Sequence, residues 1–569
     1  MPTSLLRRPM AVALVVFAVA LPVFGLLKSQ SAPHYSISHA EAVNIARADP
    51  RVAEGLARYG YTKVRVTPID PEQQRVSFFN GSRLVLHASV GPEPKVTRIT
   101  VRVPGTPQSG SPIANLPPLL FGLALLFVLA TATVPLLSLR NVDVLAFASF
   151  TVPFWLINDG LIEASVVAAY VPLAYLAARC LWIGLRGSSR APSASLYWWL
   201  MRGRGEAERR RLLQFTLAGL AVLTTVLTVS STGANDVAFA SLAGATDLIH
   251  GTVPYGHIPN FIVHGDTYPL LNYVIYVPAA AVMPVTDFFS DPQGALIVTS
   301  VAMLLAAAGL YRLGARAART AAESAGREHS EEQEPPRMAG LRAAVAWLAF
   351  PPVLLAASSG TNDVVLAACL VAVLASIAHR RRSVLLLGVA AWVKVIPVLA
   401  LPIWLARMRG RGALESIAGL AALSAALLGW MVLLGGPSSI AAMAHALSYQ
   451  FDRGSLSSLW IGWGLGPLQP VAQAALVSAV VAATMAVRSD SSLRDDLPRL
   501  AALLAGVLLL AQFAANYWTW AYLPWAIAPA LLVLVPGRLS HEHQTAVARH
   551  ALAGPAVPSP LDASTSPIP

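Results

Sequence analysis

The sequence predicts an all-α polytopic membrane protein of about 12 transmembrane helices, with a small extracytoplasmic α+β domain near the N-terminus. Three observations predict it. Of 569 residues 55% are hydrophobic and only 12% charged, a balance too apolar for an ordinary soluble domain. Apolar stretches of about 20 residues, long enough to cross roughly 30 Å of hydrocarbon, recur between short polar turns. The arginines cluster beside these stretches, so the formal charge of +12 reads as membrane topology and not as a nucleic-acid surface. The spans must be helical, because an unpaired backbone amide in lipid costs several kcal/mol and the alternation of barrel strands is absent. The two cysteines, Cys180 and Cys369, fall in or beside apolar segments, which argues against a disulfide framework or a cysteine metal site.

Taken in order, residues 1–28 carry Arg7 and Arg8 ahead of an apolar run and read as a signal anchor or first transmembrane helix. A cleavable signal peptide, with small residues near Ser31 and Ala32, is the alternative, and either one places the next segment of chain outside. Residues 36–103 turn polar. His39 to Tyr59 has helical spacing, the remainder alternates in short runs, and Asn80-Gly81 suits a tight hairpin. This α+β module resembles the PepSY-type modules found outside bacterial membranes. A Pro/Gly/Ser linker, 104–118, leads to three spans within 119–181, at 119–137, 142–157 and 161–181.

The arginine-dense loop from Arg179 to Arg211 is cytoplasmic by the positive-inside rule. The span 212–230 therefore exits, and no Lys or Arg occurs again until Arg312, so the polar loop 231–293 belongs outside. Placing the later clusters, Arg312–Arg342, His379–Arg382, Arg407–Arg411, Arg488–Arg499 and Arg538, all inside puts further spans near 294–311, 343–358, 364–379, 414–434, 469–487, 498–513 and 520–536. The stretch 383–406 has basic ends and holds Lys394 and Pro397, which predicts two half-helices entering and leaving on one side. The stretch 273–288, broken by Pro278 and Pro284, is expected to be interfacial or re-entrant. The Pro/Ser/Ala-rich tail 541–569 is expected to be disordered and cytoplasmic.

Outside the spans, ionisable and aromatic residues gather on the face opposite the arginines. The loop after Ser230 supplies Asn235, Asp236, Asp247, His250, Tyr255, His257, His264, Asp266 and Tyr268; a later turn adds Asn362 and Asp363; the loop after Gly435 adds Arg453, Trp460 and Trp463; the last turn adds Trp518 and Trp520. Charged groups at a membrane boundary are costly, so their convergence predicts a site. The seven-residue spacing of His250, His257 and His264 does not match the close pairing of a zinc helix, and no metal ligand set is assigned. Two or three outer carboxylates can hold a divalent ion, Mg or Mn, without requiring one, and no other cofactor is expected.

These residues carry a resemblance. Gly233-Ala-Asn-Asp236, Gly244-Ala-Thr-Asp247 and Gly251-Thr-Val-Pro-Tyr255, then Phe350-Pro-Pro, Gly360-Thr-Asn-Asp363, Gly388 and Val393-Lys394-Val-Ile-Pro397, come in an order similar to the C-type superfamily of membrane glycosyltransferases, especially glycosyltransferase family 87. The similar region is 212–536. The resemblance implies a C-type glycosyltransferase-like core and a multi-pass protein of the plasma membrane. It would be an inverting hexosyltransferase moving a sugar, mannose by family analogy, from a polyprenyl-phosphate donor to an envelope glycolipid or polysaccharide acceptor on the outer face.

The resemblance also assigns residues. Asp236 becomes the general base for the acceptor hydroxyl, a poor nucleophile that needs a proton acceptor as it attacks. Arg453 and then Lys394 are the candidates for the departing lipid phosphate. Asn235, Asp247, His264, Asp266, Tyr268, Asn362, Asp363 and Trp460 complete the candidate substrate contacts. Each has a structural alternative: Asp236 and Asp363 as helix caps, Asp247 and Asp266 as turn formers, Lys394 as a snorkelling or carbonyl-satisfying group, and the tryptophans as interfacial anchors. The rival function is a transporter or flippase of a lipid-linked or envelope substrate, against which no inverted repeat is evident. A sensor built on the 36–103 module lacks an accompanying kinase or cyclase signature.

Overall fold

A computed structural model describes residues 37–70, 73–81, 83–91, 94–101, 117–158, 162–187, 195–201, 203–231, 234–258, 265–285, 291–323, 334–452, 455 and 457–535. The expected signal segment 1–28, nearly all of the linker, the tail 541–569, His264 and Arg453 lie outside them.

Residues 39–101 form two helices on a sheet. Helix α1 (His39–Ala48) starts where Ser38 accepts the Glu41 amide, and α2 (Pro50–Tyr59) starts where Asp49 accepts that of Arg51. Four antiparallel strands come next in sheet order β1 (Lys63–Asp70), β2 (Gln73–Asn80), β3 (Arg83–Val90) and β4 (Val96–Val101). The Asn80-Gly81 pair makes the β2–β3 turn, with Gly81 at φ 64°. Ala42, Ala46, Val52 and Leu56 from the helices share a core with Val76, Phe78, Leu86 and Ala88 of the sheet.

The membrane region begins with α3 (Pro117–Thr131), α4 (Leu139–Ala148), α5 (Thr151–Asn158), α6 (Ile162–Arg186) and the short α7 (Leu196–Leu200). It continues through α8 (Glu206–Val229), α9 (Asp236–Ile249), α10 (Leu270–Ala280), α11 (Gln293–Glu323), α12 (Pro336–Ala349), α13 (Pro351–Ser358), α14 (Asp363–Ala375) and α15 (Arg380–Val393). After a 3-10 turn at Ile396–Ala400 come α16 (Leu401–Ala406), α17 (Arg411–Gly435), α18 (Ser438–Asp452), α19 (Leu459–Gly462), α20 (Gln469–Ser489), α21 (Leu497–Ala514) and α22 (Leu523–Leu534).

Six of these, α6, α8, α11, α17, α20 and α21, are long and apolar enough to cross a bilayer. A seventh span exists if α12 and α13 count as one, bent by 55° at Phe350-Pro351-Pro352, where proline removes an amide and displaces the preceding turn. The expected total of about 12 counts shorter elements as spans. The predicted span 142–157, for instance, is two short helices broken at Ser149–Phe150. Helix α21 is enclosed by its neighbours, whereas α8, α17 and α20 leave Phe215, Leu433 and Val477 exposed, an apolar surface for lipid to cover.

The arginine-rich turns meet at one end of the bundle, where they cap helix C-termini. Buried Arg342 binds the carbonyls of Ala130 and Val535 and pairs with Glu334 at 2.6 Å. Arg499 reaches the carbonyls of Gly184 and Leu185, and Arg407 those of Ile377 and Arg494. Arg342 and Arg499 satisfy acceptors that helices leave open at their C-termini, with favourable sign toward the helix dipole, while Arg407 joins the end of α14 to the turn before α21. Arg380 donates to the Arg407 carbonyl, so the broken segment from α15 to α16 enters and leaves at this same end.

The other end collects the loops. Gln293 at the start of α11 donates to the carbonyl of Val229 at the end of α8, so α9 and α10 fill the connection between two adjacent helix ends. Helix α10, with 11 residues, rises only about 16 Å and is too short to cross. The antiparallel pair α14 and α15 carries Ile377–Arg382 at the basic end and Asp363 and Lys394 at the opposite tips, about 20 Å away.

Candidate active site

Two half-helix tips meet at the loop end. Helix α15 stops at Val393, and Lys394 takes extended backbone, φ −153° and ψ 133°, ahead of Pro397. Its ammonium lies 2.5 Å from Asp363 Oδ1 and 3.2 Å from Asn362 Oδ1. Asp363, 2% exposed, opens α14, and its Oδ1 also accepts the Trp525 indole N–H at 2.8 Å. Burial makes this pair consequential: a lone carboxylate or ammonium here would cost several kcal/mol.

The network runs on through side-chain amides. Lysine only donates, so the Asn362 oxygen faces Lys394 and its Nδ2 donates to Asn272 Oδ1 at 2.8 Å. Asn272 Nδ2 donates in turn to Ser241 Oγ at 3.2 Å. Asn362, Asn272 and Ser241 are fully buried, and the chain joins α9, α10, α14 and α15. Aromatic faces enclose the ammonium, with Tyr522, Trp525 and Tyr268 ring centres 4.7, 4.8 and 5.7 Å from Nζ. Tyr522 and Trp525 stack on each other at 4.4 Å.

Asp236 begins α9 beside this network. The cap of α9 is Asn235, whose Oδ1 accepts the amides of Val237 and Ala238, so Asp236 does not act as the cap. The Asn235 amide donates to the Ser359 carbonyl at 2.9 Å, which holds the α9 tip against the turn leading to Asn362 and Asp363. Gly360 makes that approach possible: it has φ +69°, and a Cβ there would lie 2.6 Å from the Ala238 side chain. About 1.4 helical turns separate Asp236 from Ser241, about 7.5 Å along the axis.

The remaining candidates are distributed around this centre. Asp247 lies near the far end of α9, its Oδ2 buried without a hydrogen bond among the described residues. Burial pushes its carboxyl above the usual range, with His257 and His250 opposing the shift. Asp266 Oδ2 accepts the Gly256 amide at 3.1 Å and ties two loop segments together. Tyr268 is buried, with its carbonyl taken by Tyr255 Oη. Trp460 is buried edge-to-face on Phe513 and donates to the Phe513 carbonyl. Among the described residues no group of three His, Cys, Asp or Glu is placed to hold a metal.

Sequence reading missed Ser241, Asn272, Tyr522 and Trp525. Asn272 had a usable signal, since an amide inside the apolar run Leu-Leu-Asn-Tyr-Val demands a partner. The other three depend on which helices become neighbours.

A comparison against known families bears on the later motifs. Residues 267–513 match glycosyltransferase family 87. The match indicates a multi-pass membrane glycosyltransferase with a sugar donor and an acceptor as substrates. The family 87 region contains Tyr268, Asn272, Asn362, Asp363 and Lys394, whereas Asp236, Asp247, Tyr522 and Trp525 lie beyond its limits. No curated protein and no solved structure matches the chain.

Proposed function

We propose that the protein transfers a hexose, mannose in the first instance, from a polyprenyl-phosphate donor to an envelope glycolipid or polysaccharide acceptor. Transfer takes place at the outer face of the plasma membrane. Support comes from the buried Lys394–Asp363 pair, set at the end opposite the arginine-rich turns and inside the family 87 region. A cationic centre walled by aromatic rings at the membrane boundary suits a substrate that is phosphate, sugar and hydrocarbon together.

In this reading Asp236 accepts the proton of the acceptor hydroxyl as its oxygen attacks the anomeric carbon. The bond from that carbon to the phosphate oxygen breaks, and the lipid phosphate leaves with the electron pair. Attack opposite the leaving group inverts the anomeric configuration. Lys394 faces the phosphate, and Asp363 orients the ammonium, so the donor brings a second anion to an already positioned cation. Arg453 is the second cation of the proposal. Asn235, Asp247, His264, Asp266, Asn362 and Trp460 are the remaining proposed acceptor and sugar contacts.

The test supplies purified protein with polyprenyl-phosphate mannose and a membrane extract, with product identified by mass spectrometry. A mannosylated lipid or polysaccharide that disappears in Asp236→Asn supports the proposal. Product formed only from a nucleotide sugar would refute it.

A further inference from the structure

The arginine-rich end holds a groove of about 1000 Å³, as large as the clefts that take drug-sized ligands. Among the described residues Arg316, Arg380, Arg381, Arg382 and Arg409 line it, with Asp495 the one carboxylate. Asp495 is engaged by Arg380 and Arg407, and Glu415 outside the groove by Arg381 and Arg411. Among the described residues Arg316, Arg382 and Arg409 have no ion-pair partner. Buried Arg407, next to the lining residue Met408, keeps one guanidinium nitrogen, Nη1, without a hydrogen bond among the described residues. The first turn of α15 is Arg380-Arg381-Arg382 on a helix start with no side-chain cap, which sets three cations against the positive end of the dipole.

Arginine-rich turns are ordinary at membrane ends, but a concave site with five cations and one carboxylate is a recognition geometry for an anion. We propose that this groove binds a phosphate-bearing anion, supplied by the headgroup of an anionic phospholipid. Guanidinium forks fit phosphate oxygens in a bidentate manner. The lipid source is argued from the wall of the groove at Gly412. Gly412 belongs to the first turn of α17, an apolar helix whose other faces leave side chains such as Leu414 and Ile417, 68% and 50% exposed, for lipid to cover, so the groove opens beside acyl chains whose headgroup can enter it. This site is about 20 Å from Lys394 along α15 and stands apart from the glycosyl-transfer reading.

The experiment is native mass spectrometry of the full-length protein in detergent, titrated separately with phosphatidylglycerol, phosphatidylcholine and inorganic phosphate. Arg316→Gln, Arg382→Gln and Arg409→Gln combined leave the Asp495 and Glu415 pairs intact. Phosphatidylglycerol is expected to bind at least tenfold more tightly than phosphatidylcholine, and the triple variant to bind it roughly 100-fold more weakly. Arg382→Glu alone provides a second reading should the triple variant fail to fold. Equal binding of the two lipids, or phosphatidylglycerol binding unchanged in the folded variants, overturns the proposal. Displacement of phosphatidylglycerol by millimolar inorganic phosphate would overturn the lipid source and assign the groove to a soluble phosphate.

Discussion

Lys394 Nζ stands 2.5 Å from Asp363 Oδ1, and this one contact fastens the end of α15 to the beginning of α14. Asp363 is buried and Lys394 is 13% exposed, so each is largely cut off from water and needs the other. Lys394→Met and Asp363→Leu should each lower stability by about 3–5 kcal/mol, because one charge is left unpaired. The double variant should regain most of that loss while sugar transfer stays absent. Thermal melts in detergent beside a transfer assay check both halves; a double variant as unstable as the singles would show that the pair is not the coupled unit.

Asp236 and Asn235 should separate chemistry from capping. Asn235→Ala removes the acceptor for two amides and should cost about 1 kcal/mol. Asp236→Asn should leave the melting temperature nearly unchanged and eliminate transfer. Turnover near the wild-type rate would remove Asp236 from the reaction.

Asp247 gives a pH signature. Its carboxyl is raised in the fold by burial, so the native state holds the proton more tightly than the unfolded chain does. Stability therefore falls as pH rises from the ordinary aspartate value of 3.8 to the higher folded value, and is level above it. Asp247→Asn should flatten this part of the profile of melting temperature against pH. A wild-type profile that rises through the same window would contradict the assignment.

Gly360 tests the contact between the α9 tip and the Ser358–Asp363 turn. Alanine there adopts a left-handed conformation at about 1–2 kcal/mol and places its Cβ 2.6 Å from Ala238. Gly360→Ala should lower both the melting temperature and the rate of transfer, since the turn also carries Asn362 and Asp363. Retained transfer at wild-type rate would show that the approach is not needed.

Orientation can be read by labelling. Thr361 is 1% exposed and unsuited to a probe, whereas Thr252 is exposed at the loop end and Arg411 is 93% exposed at the basic end. With Cys369 replaced by Ser, Thr252→Cys should react with an impermeant maleimide on intact cells, and Arg411→Cys only after permeabilisation. The reverse pattern would invert the topology.

The amino-acid sequence by itself determined the solvent, the helical class and the grouping of arginines, because these derive from hydrocarbon thickness, backbone hydrogen bonding and charge, all local properties. It also marked Asp363 and Lys394 as buried polar groups next to a glycine turn and a proline. Tertiary structure alone decided that they pair with each other, that Asn272 and Ser241 extend the chain, and that Tyr522 and Trp525, more than a hundred residues further on, close over the ammonium. A buried charge announces that it needs a partner; which partner it finds depends on how the helices pack, and helix packing brings together residues with no relation in sequence spacing.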